Sequence, residues 1–251
     1  MDEKMLLKSR MIDLAREAEN GCYYTASHFL TLAEQGDLDA LYREGAIGRY
    51  TLDGGFEASE RRIALFGDPD SFGYDPTPPT AWLKIAPVAP KFADALTHRD
   101  FLGTVMGLGI KRELLGDIII KDNIAYLYLL DTIAPYIAES LTRVKHTEVR
   151  VTAVDAPPDT FTQLPDETLV VTAGERLDAT VAAVYNLSRQ EALSLCEKGL
   201  VSINGRVTDK NAQALKTGVT VSVRGYGRFR YEGIRGDTRK GKLRVAVRIF
   251  S

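Results

Sequence analysis

Cysteine is scarce: Cys22 and Cys196 are the only two among 251 residues, and they stand far apart. Without a CxxC pair or a Cys/His cluster, neither a zinc site nor a disulfide framework is expected, and both thiols are read as reduced. Histidine is nearly as rare. His28, His98 and His146 are widely separated, no HExxH occurs, and none has a nucleophile at a diagnostic spacing. There is no P-loop. GLGIKRE follows a predicted helix rather than a strand, and GYGRFR follows a strand but opens no helix, so neither is a dinucleotide fingerprint. No apolar run approaches the ~20 residues that span a bilayer. The start, MDEKMLLKSR, has no apolar core and no small-residue cleavage site, so no secretory signal is expected. These absences predict a protein with no metal, no cofactor, no catalytic residue and no membrane contact, working in the cytoplasm.

What is present is a lopsided charge. From Gly174 to Ser251 there are 15 Lys+Arg against 7 Asp+Glu, a net of +8, whereas the preceding residues carry 17 against 27, a net of -10. A basic third joined to an acidic two-thirds is the electrostatic footprint of a chain that meets a polyanion.

The periodicity divides the chain into four parts, and the fold class expected is α+β. Residues 1–79 read as a mainly helical domain, with Met5, Leu6, Met11, Ile12, Leu14 and Ala15 at helical spacing. TASHFLTLAEQG reads as a second helix stopped at Gly36, and DLDALYREG as a third. GDPDSFGYDPTPP is a loop. Residues 80–155 run strand (WLKIAPV), helix, strand (DIIIK), turn (Asp122-Asn123), strand (NIAYLYLL), helix (IAPYIAESLT), strand (HTEVRVTAV). This βαββαβ order is ferredoxin-like, the order also found in RNA-recognition motifs. Alternation sends Leu83, Ile85, Ala125, Leu127 and Leu129 toward the helices, and Trp82, Lys84, Tyr126 and Tyr128 to the other face. Trp82, Tyr126 and Tyr128 are therefore candidates for base stacking. An interface with a neighbouring domain is the competing reading, since the RNP1 pattern is absent and the region has 9 basic and 9 acidic residues. Residues 156–173, with Pro157, Pro158 and Pro165, read as a linker containing a possible strand, TLVVTA.

Residues 174–251 carry mutually consistent local signals. Leu177, Val181, Val184 and Tyr185 form the apolar face of a helix. Ser188 and Glu191 make a capping box for the next, and Lys198-Gly199 end it. LVSI is a strand, Asn204-Gly205 a tight hairpin turn, and VTVSVRGYGRFRY a strand bearing basic side chains.

The combination of RLD, an SRxxA helix, KGxVxxNGRV and LKxGVxVxV resembles the S4 RNA-binding domain. Upstream, GGFEASERRIALF and THRDFLGTVMGLGIKRELLGDI, and at the end VRGYGRFRYEG and TRKGKLRVAVRIF, resemble the YlmH family of bacterial S4-domain proteins. The resemblance implies a non-catalytic, cytoplasmic protein that binds structured RNA, namely rRNA and tRNA. It also implies association with the large ribosomal subunit and a role in rescuing stalled nascent chains. Off the ribosome a monomer is expected.

The candidate RNA-binding residues are Arg176, Ser188, Arg189, Lys198, Asn204, Arg206, Lys210, Arg224, Arg228 and Arg230. Arg189 starts a helix, where N–H groups and dipole favour phosphate, and the planar fork of arginine grips two oxygens. In the S4-like pattern Arg176 and Arg189 face one another across a groove, with Asp178 orienting an arginine. RLDAT resembles the catalytic stretch of pseudouridine synthases, but VAAVYNLSR follows it instead of the remainder of that motif. An RNA-modifying enzyme, or an adaptor acting through the acidic N-terminal half, are the alternative readings.

Overall fold

The computed structural model describes residues 3–239 and 241–250. Lys240, counted in the basic third, lies outside them. The chain divides into two compact units, Met1–Gln163 and Leu164–Ser251.

The first unit contains α1 (Glu3–Gly21), β1 (Thr25–Ala26), α2 (Leu32–Arg43), β2 (Tyr50–Asp53), β3 (Ile63–Phe66) and the short α3 (Pro69–Phe72). It continues with β4 (Thr80–Pro87), α4 (His98–Gly107), β5 (Leu115–Lys121), β6 (Ile124–Leu130), α5 (Ala134–Ser140), β7 (Arg143–Val144), β8 (Thr147–Val154) and α6 (Asp159–Thr162). The second sheet of this unit has the order β5-β6-β4-β8-β7 and is antiparallel throughout. Its first strand, β4, lies between β6 and β8, which is the ferredoxin-like arrangement the sequence predicts. Asp122 and Asn123 both take positive φ, 53 and 60 degrees, in the tight turn between β5 and β6. Leu83, Ile85, Ala125, Leu127 and Leu129 pack on Phe101 and Val105 of α4 and on Ile137 of α5.

The N-terminal part is less helical than expected. Helix α2 starts at a capping box, in which Thr31 Oγ1 accepts from the Glu34 N–H and Glu34 accepts from the Thr31 N–H. It then runs through Gly36 to Arg43, so Gly36 is not a stop; burial of Leu38 and Leu41 outweighs the roughly 1 kcal/mol helix cost of a glycine. Residues 25–26 are strand, and β1-β3-β2 form a small antiparallel sheet. All four residues of β3 are buried, a continuous apolar run that alternation cannot assign to one face. Ala64 and Phe66 pack against Met11, Leu14 and Leu38, whereas Ile63 and Leu65 pack against Trp82, Tyr126 and Tyr128.

The second unit holds β9 (Glu167–Thr172), α7 (Leu177–Tyr185), α8 (Arg189–Glu197), β10 (Val201–Ile203), β11 (Arg206–Val207), β12 (Thr220–Val223), β13 (Gly227–Asp237) and β14 (Leu243–Phe250). Its sheet order is β11-β10-β12-β13-β14-β9. Leu177, Val181, Ala192 and Cys196 of the two helices pack on Val221, Val223, Phe229, Tyr231, Val245 and Val247 of one sheet face. β9 falls within the stretch read as linker. It pairs with β14 from Leu243↔Thr172 to Arg248↔Glu167, so residues 167–172 are an edge strand of this sheet. Pro157, Pro158 and Pro165 precede TLVVTA and mask it as a connection, and its partner lies some 75 residues later in the chain, beyond the reach of local pattern.

Candidate nucleic-acid interface

The start of α7 is clasped by the loop before β12. Leu177 N–H donates to Gln213 O (2.9 Å) and Asp178 N–H to Asn211 O (3.1 Å). These bonds satisfy first-turn donors that a helix leaves without partners. They also sink Asp178, whose side chain is only 2% exposed. A carboxylate removed from water in this way requires compensating donors. It has them: Arg176 Nε and Nη2 each donate at 2.9 Å, Ala179 N–H at 2.9 Å, and Arg189 Nε at 3.4 Å. Burial by itself raises the Asp178 pKa, but these donors more than offset it and hold the carboxyl below its ordinary range. In return, the Asp178 hydrogen bond raises the Arg176 pKa.

Arg176 is the N-cap of α7 and Arg189 the first residue of α8. One buried carboxylate therefore draws two guanidiniums and two helix N-termini together. The guanidiniums keep outward surface, with Arg176 43% and Arg189 62% exposed. Ser188 lies beside them as the α8 N-cap, its Oγ accepting from Glu191 N–H (3.2 Å) while Glu191 accepts from Ser188 N–H (2.7 Å). Lys210, exposed, immediately precedes Asn211 of the clasping loop. Chemically this corner offers planar, pre-oriented donors within positive helix-end potential, the arrangement that receives phosphate oxygens.

The other predicted residues fall into three further groups. Lys198 caps the end of α8, and Arg224 N–H donates to Leu200 O (2.9 Å), so these exposed cations lie together at the opposite end of α8 from Arg189. Tyr226 packs on Tyr185 at the end of α7, with ring centroids 5.6 Å apart. Asn204 and Gly205 take positive φ in the hairpin turn, and Asn204 Oδ1 accepts from Thr220 N–H (2.8 Å). Asn204 is thus engaged in turn geometry, with exposed Arg206 next to it in β11.

Arg228 and Arg230 lie elsewhere. On β13 they alternate with Phe229 and Tyr231, which face the helices, so they occupy the opposite sheet face. Arg228 lies over the Phe250 ring at 5.0 Å, while Arg230 (2.6 Å) and Arg248 (3.1 Å) share Glu232. Arg244 and Arg248 of β14 belong to this face and were not singled out from sequence. The alternation in LRVAVRIF, with Val245 and Val247 in the core, carries that signal.

The central aromatics are not available. Trp82, Tyr126 and Tyr128 are each 5% exposed and are covered by Phe29, Ile63 and Leu65. Gly55 closes over them at φ +79; a Cβ there would lie 2.7 Å from Trp82 Cζ2 and 3.0 Å from Tyr128 Cζ. No base can stack on this face without removal of that layer, and the competing reading, a contact between neighbouring parts, describes the packing seen. The signal was the continuously apolar β3 run, which needs two apolar faces to bury it.

A helix pair with two arginines on a shared carboxylate, set on an antiparallel sheet, defines an S4-type module attached to a ferredoxin-like domain. The S4 domain family model matches residues 175–221, and the model described as "Putative RNA-binding domain in YlmH" matches residues 83–157. The chain is 30% identical over 224 residues to the Ribosome-associated protein quality control protein P2 of Bacillus subtilis (strain 168), spanning 86% of this chain and 84% of that protein. The chain belongs to this YlmH family of S4-domain proteins. Its fold is similar to the Cell division protein ylmH from Streptococcus pneumoniae, with a TM-score of 0.50 and 21% identity over 65% of this chain and 96% of that one.

Among the described residues, no helix is long and apolar enough to cross a membrane.

Proposed function

We propose that this protein is a non-catalytic RNA-binding factor that contacts rRNA and tRNA on the large ribosomal subunit and takes part in rescuing stalled nascent chains. It acts in the cytoplasm and is a monomer off the ribosome. The observation that carries the reading is the Arg176–Asp178–Arg189 constellation at two converging helix starts. Arg176 and Arg189 receive phosphates, with Ser188 and Lys210 at their side. Lys198 and Arg224, at the opposite end of α8, and Arg206 supply further contacts, and Asn204 holds the hairpin that carries Arg206. Arg228 and Arg230 supply a separate contact on the opposite sheet face. The B. subtilis relative, named for ribosome-associated quality control, supports the ribosomal destination.

Nuclease footprinting of purified large subunits with the full-length protein tests this. Protection of a defined rRNA segment, lost in Arg189→Ala, is expected. Unchanged protection in that variant contradicts the assignment of the phosphate site.

A further inference from the structure

The ferredoxin-like domain has its usual aromatic platform buried, so any RNA contact it makes must use another surface. One residue stands out on that surface. Of the nine phenylalanines in the chain, eight are buried or half-buried, and Phe92 is 90% exposed. It lies in the connector between β4 and α4, in a single 3-10 turn, Pro90–Phe92.

The ring is exposed on a backbone that is held in place. Before it, Val88 N–H donates to Glu148 O (2.9 Å). After it, Asp94 N–H donates to Thr147 Oγ1 (2.9 Å), and the Asp94 carboxylate accepts from His146 N–H (3.2 Å) and Thr147 Oγ1 (3.3 Å). Asn123 closes the connector from the other side, donating to Asp94 O (2.8 Å) and accepting from Leu96 N–H (3.0 Å). Within the turn, Phe92 N–H bonds Ala89 O at 3.1 Å and Pro90 fixes its own φ. A connector anchored at both ends presents its apolar ring to water on a fixed backbone.

Two lysines border the ring. Lys91 is adjacent and exposed, and the β7–β8 hairpin bound to the connector brings exposed Lys145, whose Nζ donates to Ala95 O (3.5 Å), while exposed Glu148 of the same hairpin is paired with Arg143. Asp94 is engaged by its donors, and Asp100 is paired with Lys145 at 2.8 Å. Val88, Ala89 and Pro90 share the exposure, and among them Phe92 supplies the one ring, with Lys91 beside it, a smaller feature than the broad apolar patch of a protein interface. It matches the elements of single-strand nucleic-acid binding, a ring for the base and cations for the flanking phosphates. We propose that Phe92 stacks on an unpaired RNA base, with Lys91 and Lys145 on the adjoining phosphates. This assignment rests on the RNA-binding reading above.

The test uses the full chain and purified large-subunit rRNA in filter binding at fixed salt. Phe92→Ala is expected to weaken binding about tenfold, since a base–aromatic stack contributes at that scale. Phe92→Tyr should bind like the parent, and Phe92→Leu like the alanine variant. Because the side chain is exposed, thermal melts of all three should match the parent. Leucine restoring affinity overturns the stack, as does parental affinity in Phe92→Ala. So does an alanine variant that binds rRNA normally but leaves the ribosomal fractions, which would assign the ring to a protein partner. If the parent binds rRNA and Arg189→Ala weakens it while Phe92→Ala does not, only the Phe92 assignment falls; a parent that binds no rRNA removes both.

Discussion

Arg176 grips Asp178 at two points, both N–O distances 2.9 Å, and the carboxylate it grips is 2% exposed while its own side chain is 43% exposed. The acid is the fixed member and the arginine the presented one. Asp178 is therefore a positioning residue for RNA contact, and its loss should separate orientation from charge. In Asp178→Asn the net charge rises by one, yet RNA affinity should fall by roughly 3- to 10-fold, about the net value of one ordinary hydrogen bond. The salt slope should not fall, because no cation is removed. Filter binding across a salt series reads both quantities, and tighter binding would show that charge alone matters.

The two arginines should differ when removed. Arg189 is 62% exposed and reaches Asp178 only at 3.4 Å, so Arg189→Ala should cost less than about 1 kcal/mol of stability. Arg176→Ala leaves a buried carboxylate short of its main donor and should cost about 1–3 kcal/mol. Denaturant melts check the ranking. The slope of log K against log salt, expected near -3 to -5 for about 4–6 phosphates, should become shallower by roughly 1 in Arg189→Ala.

Acid should act through the same carboxylate. The folded-state pKa of Asp178 lies below its ordinary 3.8, with burial opposing and the Arg176, Ala179 and Arg189 donors prevailing. Asp100 is held down to about 2, mainly by Lys145 and then by Thr97. A depressed carboxyl binds its proton more readily in the unfolded chain, so its stabilisation is complete above the unfolded pKa and is lost as pH falls through the folded one. Stability should accordingly be insensitive to these two groups from about pH 5 to 8 and decline from about pH 4 toward 2. Asp178→Asn should flatten part of that decline in melts taken across the range.

The buried aromatic layer predicts a stability effect. Trp82→Ala should cost about 3–5 kcal/mol. Gly55→Ala combines a positive φ with a 2.7 Å approach to Trp82 and should cost at least about 1 kcal/mol. Calorimetry on the full chain would show either change. Trp82→Phe, folded and with parental RNA affinity, would separate the layer from binding.

A fragment boundary follows from β9. A fragment of residues 164–251 should fold with a cooperative melt, whereas one of residues 174–251 leaves β14 without β9, one of its two neighbours, and should melt lower or aggregate through the new edge. Circular dichroism of both fragments decides it.

Local chemistry made much of this legible in the sequence. The Ser188–Glu191 box, the Asn204-Gly205 turn and the alternation of Leu83 and Ile85 with Trp82 are each encoded within a few residues, and each has its expected geometry. Long-range partnership was hidden. Nothing near β3 says that its two faces meet two different apolar layers, and nothing near β9 points to β14. The candidate site shows the same split. The S4-like pattern sets Arg176 and Arg189 face to face with Asp178 orienting an arginine, but the burial of that carboxylate depends on a loop some thirty residues on that clasps the helix start. Arg228 and Arg230 were grouped with them by charge, and the pleat of β13 sends them to the other face.

The most direct test of the account is sedimentation of cell lysate through sucrose gradients at low and high salt, tracking the parent chain and Arg189→Ala. The account predicts that the parent travels with large-subunit or whole-ribosome fractions at low salt, shifts toward the top at high salt, and does so at lower salt in the variant. A parent chain that stays at the top at every salt, or a variant that travels as the parent does, would contradict it.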